Sequence, residues 1–244
     1  MDIRGIILAA GRGSRMQSLT SDKPKCMIKF AEKSLIEWQV EAFRSCGIKK
    51  IGVVTGYLNE SIPKKFFDKE FYNECWDNSN MVISLCKAED WLSKYQCIVS
   101  YGDIFFKKLA IDLLLECTSE IGITYDPNWK KLWEQRFNNP LTDAETFKID
   151  EKSFLEDIGR SPSSYDEISG QYMGLLKFSP LGWHSVKQVI NLTEDQNISM
   201  TELLNRLVKS KKNIKAIAYN NFWGEVDSLE DLSLYEKILK NRFV

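Results

Sequence analysis

An uninterrupted apolar run near the start of the chain, Gly5-Ile6-Ile7-Leu8, passes directly into a loop of small and basic residues, Ala9 to Arg15. A run of this kind is typical of a strand that is buried on both faces, and the glycines after it allow a tight turn. Similar runs recur at Lys50–Thr55, Cys97–Tyr101 and Ile121–Tyr125. Strands buried on both faces need helices on either side of their sheet, so this pattern is the strongest constraint on the fold.

Helix signals lie between these strands. Ser34-Leu35-Ile36-Glu37 is a capping box followed by apolar positions at helical spacing, and a second box at Ser199–Glu202 opens a later helix. A helix through Met81–Leu85 is expected to take its cap from Asp77 or Asn78. The alternation predicts an α/β fold: a Rossmann-like, doubly wound, mostly parallel mixed sheet with helices on both faces.

The alternation breaks between residues 126 and 146, where prolines, asparagines and charged residues surround a tryptophan-rich stretch. We interpret this segment as an insertion or lid. The residues from Phe147 to Ser179 alternate in the manner of antiparallel strands and form a small antiparallel region. Residues 1–244 show no interdomain linker and are interpreted as a single domain.

Composition limits the classes of function. The chain has 244 residues, with 33 Lys and Arg against 34 Asp and Glu, a net charge of −1. That balance argues against a general nucleic-acid or anionic-membrane binder. Six scattered cysteines without a CxxC pair are expected to be reduced core residues, and no apolar segment approaches membrane-spanning length, so we expect a cytoplasmic protein. With His184 as the single histidine, catalysis would use carboxylates, lysines, arginines and backbone groups.

The glycine loop after the first strand is a candidate phosphate site, because its backbone N–H groups can converge on an anion. Arg15, Lys23 and Lys25 add positive charge close to it. The loop lacks the ending of a Walker motif, and Met16 stands where a dinucleotide fingerprint needs glycine. A tight turn followed by a solvated Lys-Pro-Lys segment is the structural alternative.

Two aspartates follow predicted strands at the edge where open parallel sheets bind ligands, Asp103 and Asp227. Together they could hold one Mg²⁺, a cation that takes oxygen ligands and shares them with phosphates. The alternatives are a turn residue at Asp103 and a helix cap at Asp227.

These residues together resemble a known family. The loop after the first strand is similar to the signature loop of nucleotidyltransferases, which join a nucleoside triphosphate to a phosphorylated small molecule. The similar residues are Leu8-Ala9-Ala10-Gly11-x-Gly13-x-Arg15, continuing to Lys23-Pro24-Lys25. The resemblance implies catalytic roles for Lys25 and Arg15, and Mg²⁺ on Asp103, Asp227 and Glu225. It also implies a nucleotide site formed by Leu8, Ala9, Ala10, Gly11, Gly13, Asn80 and Ser84.

The closing Glu225-Val226-Asp227-Ser228 and the compact length resemble the phosphocholine-type cytidylyltransferases. One departure is Ser18, which stands before Leu19 where proline is usual. The resemblance implies condensation of CTP with a small phosphorylated amino compound, namely phosphoglutamine, phosphocholine or 2-aminoethylphosphonate, with release of pyrophosphate. It further implies a role in capsular polysaccharide or surface-glycan synthesis, and leaves a homodimer open.

For the acceptor, the candidates are Trp129, Trp133, Arg136 and Tyr172. Trp129 and Trp133 would share a helix face with Arg136 and could receive an ammonium group by cation–π attraction. Arg136 could hold the carboxylate of an amino acid, which places phosphoglutamine first among the three acceptors. Core packing or a dimer contact for the tryptophans, and a surface ion pair for Arg136, are the alternatives.

Three rival functions share some of these residues. A sugar-1-phosphate nucleotidyltransferase would use the same loop and both aspartates. A catalytically silent nucleotide-binding module could keep the fold, although it would have no physical need for Lys25, Asp103 and Asp227 together. A dinucleotide-binding oxidoreductase is disfavoured by Met16.

Overall fold

A computed structural model describes residues 2–193 and 197–242 of the chain. Its strands, in chain order, are β1 (Ile3–Ala9), β2 (Lys29–Phe30), β3 (Lys33–Ser34), β4 (Lys50–Thr55), β5 (Lys69–Tyr72), β6 (Gln96–Tyr101), β7 (Ile104–Phe105), β8 (Ile121–Asp126), β9 (Phe147–Ile149), β10 (Leu155–Ile158), β11 (Gln171–Phe178), β12 (Ile214–Ala218) and β13 (Gly224–Glu225). Its α-helices are α1 (Leu35–Ser45), α2 (Met81–Cys86), α3 (Glu89–Leu92), α4 (Lys108–Glu116), α5 (Trp129–Arg136), α6 (Pro180–Asn191), α7 (Met200–Lys209) and α8 (Leu229–Arg242).

Seven strands form one central sheet in the order β12-β8-β11-β6-β1-β4-β5. β1 pairs in parallel with β4 and β6, and β12 pairs in parallel with β8. β11 runs antiparallel to both β6 and β8, so the sheet is mixed. The predicted fold class is therefore confirmed, and β9 and β10 form the small antiparallel region beside the sheet.

The apolar run that opens the chain is buried on both faces of the sheet. Ile6 and Leu8 lie in one core cluster, whereas Ile7 and Ala9 lie in another. Successive strand residues point to opposite faces, so one continuous apolar run supplies both cores.

The predicted capping box is present in full at Ser34, whereas at Ser199 the described contacts include the serine cap without the reciprocal bond from Glu202. The Glu37 carboxylate accepts the backbone N–H of Ser34 at 2.7 Å at the start of α1. Ser199 Oγ accepts the backbone N–H of Glu202 at 3.0 Å at the start of α7. The expected cap of α2 is wrong: Asn80, rather than Asp77 or Asn78, accepts the N–H of Ile83 at 3.0 Å.

The segment 126–146 contains α5 and packs against the sheet rather than projecting from it. Trp129 and Trp133 are each 4% exposed and belong to the core cluster that contains Ile7. Whether this segment moves as a lid, and the single-domain interpretation, stay predictions.

The cysteines agree with the sequence analysis only in part. All six are free thiols, and Cys26 and Cys97 are buried. Cys75 is exposed, so the expectation that the cysteines are core residues is wrong there. Within the described ranges, no helix combines the length and the apolar character that crossing a membrane requires.

Candidate active site

The glycine loop after β1 curls around the stem of a lysine. Gly13 has φ +72°, and a Cβ there would come within 2.8 Å of Lys25 Cδ. Glycine is therefore required both for the left-handed backbone and for the close approach. A 3₁₀ helix, Ser14–Thr20, follows the loop.

The loop opens onto a cavity of about 250 Å³, called here the loop cavity. Its lining consists of Leu8, Ala9, Gly11, Gly13, Ser14, Arg15, Lys25, Cys26, Met81, Gly102 and Asp103. Ala10 is outside this lining, and its carbonyl accepts the N–H of Tyr57 at 3.0 Å. The cavity combines backbone, two cations and small side chains, which suits a phosphorylated ligand.

Lys25 lies between the two predicted metal ligands. Its Nζ donates to Asp103 Oδ2 at 2.8 Å and to Asp227 Oδ1 at 2.5 Å. Burial by itself lowers the pKa of Lys25, but the charges of Asp103 and Asp227 outweigh it and raise the pKa above its ordinary value. The ammonium is therefore fixed in its charged form at this point of the sheet edge.

Asp103 is held in place by the turn after β6. A Cβ on Gly102 would lie 2.6 Å from the Leu8 carbonyl, so the turn passes directly against β1. The buried Gln39 of α1 donates to the carbonyls of Tyr101 at 2.9 Å and Ile104 at 2.7 Å, on either side of the aspartate. Sequence reasoning missed Gln39, because an amide within a helix carries no local signal of the loop that it supports.

Asp227 precedes α8 but does not cap it. Ser228 Oγ accepts the N–H of Asp231, and Asp231 Oδ2 accepts the N–H groups of Asp227 at 2.9 Å and Ser228 at 3.0 Å. The capping interactions are thus made by Ser228 and Asp231, which leaves the Asp227 carboxylate free to bind Lys25 and Arg15, the latter at 2.8 Å.

Carboxylate oxygens of Asp103, Glu225 and Asp227 lie within 4.8 Å of one another and form what is called here the carboxylate cluster. Burial and then the charges of Asp227 and Asp103 raise the pKa of Glu225. Burial also acts to raise the pKa of Asp227, but Lys25, Arg15 and Arg136 lower it overall. Asp103 Oδ1 is buried without a hydrogen-bond partner. An orphaned oxygen among three carboxylates fits a Mg²⁺ site, because Mg²⁺ binds oxygen ligands.

A second, larger cavity of about 380 Å³ adjoins the first and shares Arg15 and Met81 with it. Its lining, which gives it the name acidic cavity, consists of Arg15, Asn80, Met81, Tyr101, Trp133, Asp143, Glu145, Gln171, Tyr172, Met173, Gly174, Ser199, Met200, Thr201, Glu225 and Asp227. Among the described residues, four carboxylates and one cation therefore line this space.

The acidic cavity depends on a bulge in β11. The pairing of β11 with β8 shifts register between Tyr172 and Leu176, and Gly174 in this interval has φ +77°. Gln171 holds the backbone of Glu145 from both sides: it accepts the N–H at 3.3 Å and donates to the carbonyl at 2.7 Å. The Glu145 carboxylate accepts Thr201 Oγ1 at 3.2 Å, and burial raises its pKa.

Only two of the four residues predicted to bind the acceptor line a cavity. Trp133 and Tyr172 line the acidic cavity, whereas Trp129 and Arg136 do not. Trp129 packs in the core with its ring 6.1 Å from that of Tyr165. The Arg136 side chain is 1% exposed and is bound to Asp231 at 2.8 Å, so the predicted contact of Arg136 with an acceptor is not available.

Two residues predicted to bind the nucleotide make structural contacts. Asn80 caps α2 and donates through Nδ2 to the carbonyl of Ile198, although it also lines the acidic cavity. Ser84 is 6% exposed, donates to the Asn80 carbonyl at 3.1 Å, and lines neither cavity. Of the other predicted site residues, Ala10, Trp129 and Arg136 line neither cavity, and the rest line one or both of the two cavities.

Comparison with known proteins finds relatives in sequence and in fold. CTP:phosphoglutamine cytidylyltransferase of Campylobacter jejuni is 36% identical over 95% of this chain and 98% of its own length. UTP–glucose-1-phosphate uridylyltransferase of Haloferax volcanii is 34% identical over 98% of this chain and 97% of its own. The solved structure of CTP:phosphocholine cytidylyltransferase from Streptococcus pneumoniae superposes with a TM-score of 0.74 at 20% identity, over 98% of this chain and 100% of that one, which shows a shared fold. Residues 5–135 match the MobA-like NTP transferase domain, and the chain belongs to that nucleotidyltransferase family.

Proposed function

We propose that the protein is a Mg²⁺-dependent cytidylyltransferase that transfers CMP from CTP to a small phosphorylated amino compound and releases pyrophosphate. The observation that carries this proposal is the position of Lys25 and Arg15 beside the carboxylate cluster, where the loop cavity meets the acidic cavity. The 36% identical relative, a CTP:phosphoglutamine cytidylyltransferase, supports the choice of nucleotide and acceptor class.

In this proposal the loop cavity holds CTP. Ala9, Gly11 and Gly13 have a small side chain or none, and with Leu8 they line this cavity, so a triphosphate there can approach the main chain closely. Lys25 and Arg15 supply positive charge to it. Arg15 is 70% exposed on its side chain, so it can turn from Asp227 toward a phosphate with little loss of packing.

Asp103, Glu225 and Asp227 would hold Mg²⁺. When bound there, Mg²⁺ would supply positive charge that neutralises the phosphate groups. Lys25, whose ammonium already lies among these carboxylates, is the chain's own cation for the charge that develops on the phosphate groups.

The reaction needs little acid–base chemistry from the protein. A phosphate ester has a second pKa of about 6, so the acceptor is largely ionised near neutral pH. An acceptor oxygen forms a bond to the α-phosphorus of CTP while the bond to pyrophosphate breaks, and the leaving group needs no proton. The single histidine, His184, lies on α6 and lines neither of the two cavities.

The acidic cavity would hold the acceptor. Its carboxylates and the rings of Trp133, Tyr101 and Tyr172 suit a group with a positive charge. Phosphoglutamine, phosphocholine and 2-aminoethylphosphonate all carry one. Because Arg136 is bound to Asp231, it does not support the first place of phosphoglutamine, and the 36% identical relative is what supports it.

The test is a pyrophosphate-release screen of four nucleoside triphosphates against the three amino compounds and glucose 1-phosphate. We expect turnover with CTP and an amine-bearing acceptor, lost on removal of Mg²⁺ by a chelator. Asp103→Asn is the matched inactive control. Preference for a sugar phosphate with any nucleotide would contradict the proposal.

A sugar-1-phosphate nucleotidyltransferase is the second candidate, because a uridylyltransferase is 34% identical to the chain. The acidic cavity argues against it, since glucose 1-phosphate has no cation to offset the carboxylates. A catalytically silent module would show no pyrophosphate release with any pair. The cytoplasmic location, the homodimer and the role in glycan synthesis stay predictions.

A further inference from the structure

Arg136, at the end of α5, is a buried arginine behind the carboxylate cluster. Its side chain is 1% exposed, and its guanidinium donates to both oxygens of Asp231, through Nε at 2.8 Å and Nη2 at 3.3 Å. It also lies 3.7 Å from Asp227 Oδ2 and 3.9 Å from Glu225 Oε2. One cation therefore faces three carboxylates of a single short segment.

The same Asp231 carboxylate binds the backbone of that segment. Its Oδ2 accepts the N–H groups of Asp227 and Ser228 at 2.9 and 3.0 Å. Arg136 thus acts on Asp227 in two ways, directly by charge and indirectly through Asp231. Bidentate guanidinium–carboxylate pairs fix orientation as well as distance.

Packing holds the guanidinium in this position. Its Cζ lies 5.2 Å from the centroid of the Trp133 ring and 5.0 Å from that of Phe137. Arg136 lines neither the loop cavity nor the acidic cavity. A residue without access to either cavity cannot contact a substrate there, so its effect on the reaction must pass through the groups that it binds.

We infer that Arg136 is a positioning residue that holds Glu225 and Asp227 at metal-binding distance from Asp103; the inference rests on the proposed metal site. Without the guanidinium of Arg136, the carboxylates of Glu225 and Asp227 repel each other. Asp231 also loses the partner that holds its carboxylate against the backbone N–H groups of residues 227 and 228. Partners behind the metal ligands of other proteins typically contribute about 10- to 100-fold to metal affinity.

The direction in which the affinity for a divalent cation changes distinguishes a positioning role of Arg136 from a purely electrostatic one. Removing a positive charge less than 4 Å from two ligand carboxylates would by Coulomb's law strengthen the binding of a divalent cation. Loss of positioning weakens the binding instead. Replacing arginine by lysine keeps the charge and removes the guanidinium, so electrostatics predicts no change whereas positioning predicts weaker binding.

The experiment measures binding of Mn²⁺ alone to the full chain, by the loss of the free-ion electron paramagnetic resonance signal. It compares wild type with Arg136→Lys, Arg136→Met and the control Lys131→Met, which removes an exposed charge from the same helix. Asp227→Asn defines background binding. We expect Arg136→Lys and Arg136→Met to bind Mn²⁺ at least about tenfold more weakly, and Lys131→Met to match wild type.

Thermal unfolding of each variant shows whether the protein assayed is folded, since a purely structural role would lower Tm without changing affinity per folded molecule. If Arg136→Met does not fold, Arg136→Lys decides the question. Unchanged or tighter Mn²⁺ binding by Arg136→Lys overturns the inference and leaves the proposed function intact. A wild-type protein that binds no Mn²⁺ above background overturns both the inference and the metal site.

Discussion

Two groups of carboxylates face the junction of the cavities, and they differ in whether cations of the chain bind them. The carboxylate cluster of Asp103, Glu225 and Asp227 lies against three cations of the chain itself. Within the part of the chain that the structure describes, Asp143 and Glu145 form no ion pair; they accept hydrogen bonds from Trp133 Nε1 and Thr201 Oγ1. Where the geometry of the carboxylates must be fixed, the fold supplies direct ion pairs, and where a ligand is expected, the described carboxylates Asp143 and Glu145 make none.

This difference shows that the carboxylate cluster is held in position before a ligand binds, whereas Asp143 and Glu145 still lack a cationic partner. Ionised carboxylates that lack a cation are costly when they are withdrawn from water, and an ammonium group of the acceptor would remove that cost. The five predictions that follow test this division between the two groups of carboxylates.

The largest effect is expected from the carboxylate cluster. Asp103→Asn and Asp227→Asn should each lower kcat by about 10³-fold, equivalent to roughly 4 kcal/mol, because Mg²⁺ loses a charged ligand. Steady-state pyrophosphate release with saturating Mg²⁺ measures it. Asp112→Asn, in an ion pair with Lys108 on α4, is the control and should retain activity. Near-normal turnover of either cluster variant would remove the metal assignment.

Lys25→Met should lower kcat by about 10²-fold, roughly 3 kcal/mol, and change the affinity for CTP less, because the ammonium acts where charge develops during the reaction. Single-turnover rates and equilibrium binding of CTP separate the two effects. Lys23→Met, on the same segment and with a side chain that is 40% exposed, should leave both values unchanged. A change confined to CTP binding would make Lys25 a ground-state phosphate ligand.

The two tryptophans of α5 offer a matched pair. Trp129→Phe and Trp133→Phe should each lower the free energy of unfolding by about 1–2 kcal/mol, because both rings are buried. Only Trp133→Phe should also raise the KM of the acceptor, since Trp133 lines the acidic cavity and its Nε1 holds Asp143 at 3.0 Å. Chemical denaturation and acceptor kinetics measure both. Equal effects on the acceptor KM would mean that the segment 126–146 acts as a unit.

The smallest effect is expected at Glu145. Glu145→Gln should raise the KM of an amine-bearing acceptor by about tenfold, roughly 1.4 kcal/mol, and leave that of CTP unchanged. Glu134→Gln, exposed on α5, is the control. Equal KM values for the acceptor would show that the cavity carboxylates do not bind the ammonium group.

The same variant has a pH signature. Burial raises the pKa of Glu145 above its ordinary 4.5, so the native protein takes up a proton more readily than the unfolded chain. That contribution to wild-type stability is present at low pH and is lost as pH rises through the raised pKa. The Tm of Glu145→Gln relative to wild type should therefore be higher at pH 8 than at pH 4.

Local patterns in the sequence predicted most of the fold. The buried strands and the caps at Ser34 and Ser199 depend on residues within a few positions, so spacing was enough to find them. The start of α2 was not predictable, because Asp77, Asn78 and Asn80 are all good caps. A bond from Asn80 to Ile198, far along the chain, accompanies the cap that forms.

Local sequence patterns were likewise insufficient to predict the arrangement of the site. Helical spacing placed Trp129, Trp133 and Arg136 on one helix, but it could not tell which side chain would line a cavity and which would lie behind it. That depends on α8, whose Asp231 binds Arg136 across 95 residues of sequence.

The sequence by itself determined the strands, the glycine loop and the residue types available for chemistry, since these follow from local periodicity and composition. Only the tertiary structure decided that Lys25 meets Asp103 and Asp227, which are 78 and 202 residues away. It also decided which carboxylates receive a cation from the chain. The physical reason is that ion pairs and cavities depend on how sheet edges and helices pack in space, and side-chain spacing along the chain carries no record of that packing.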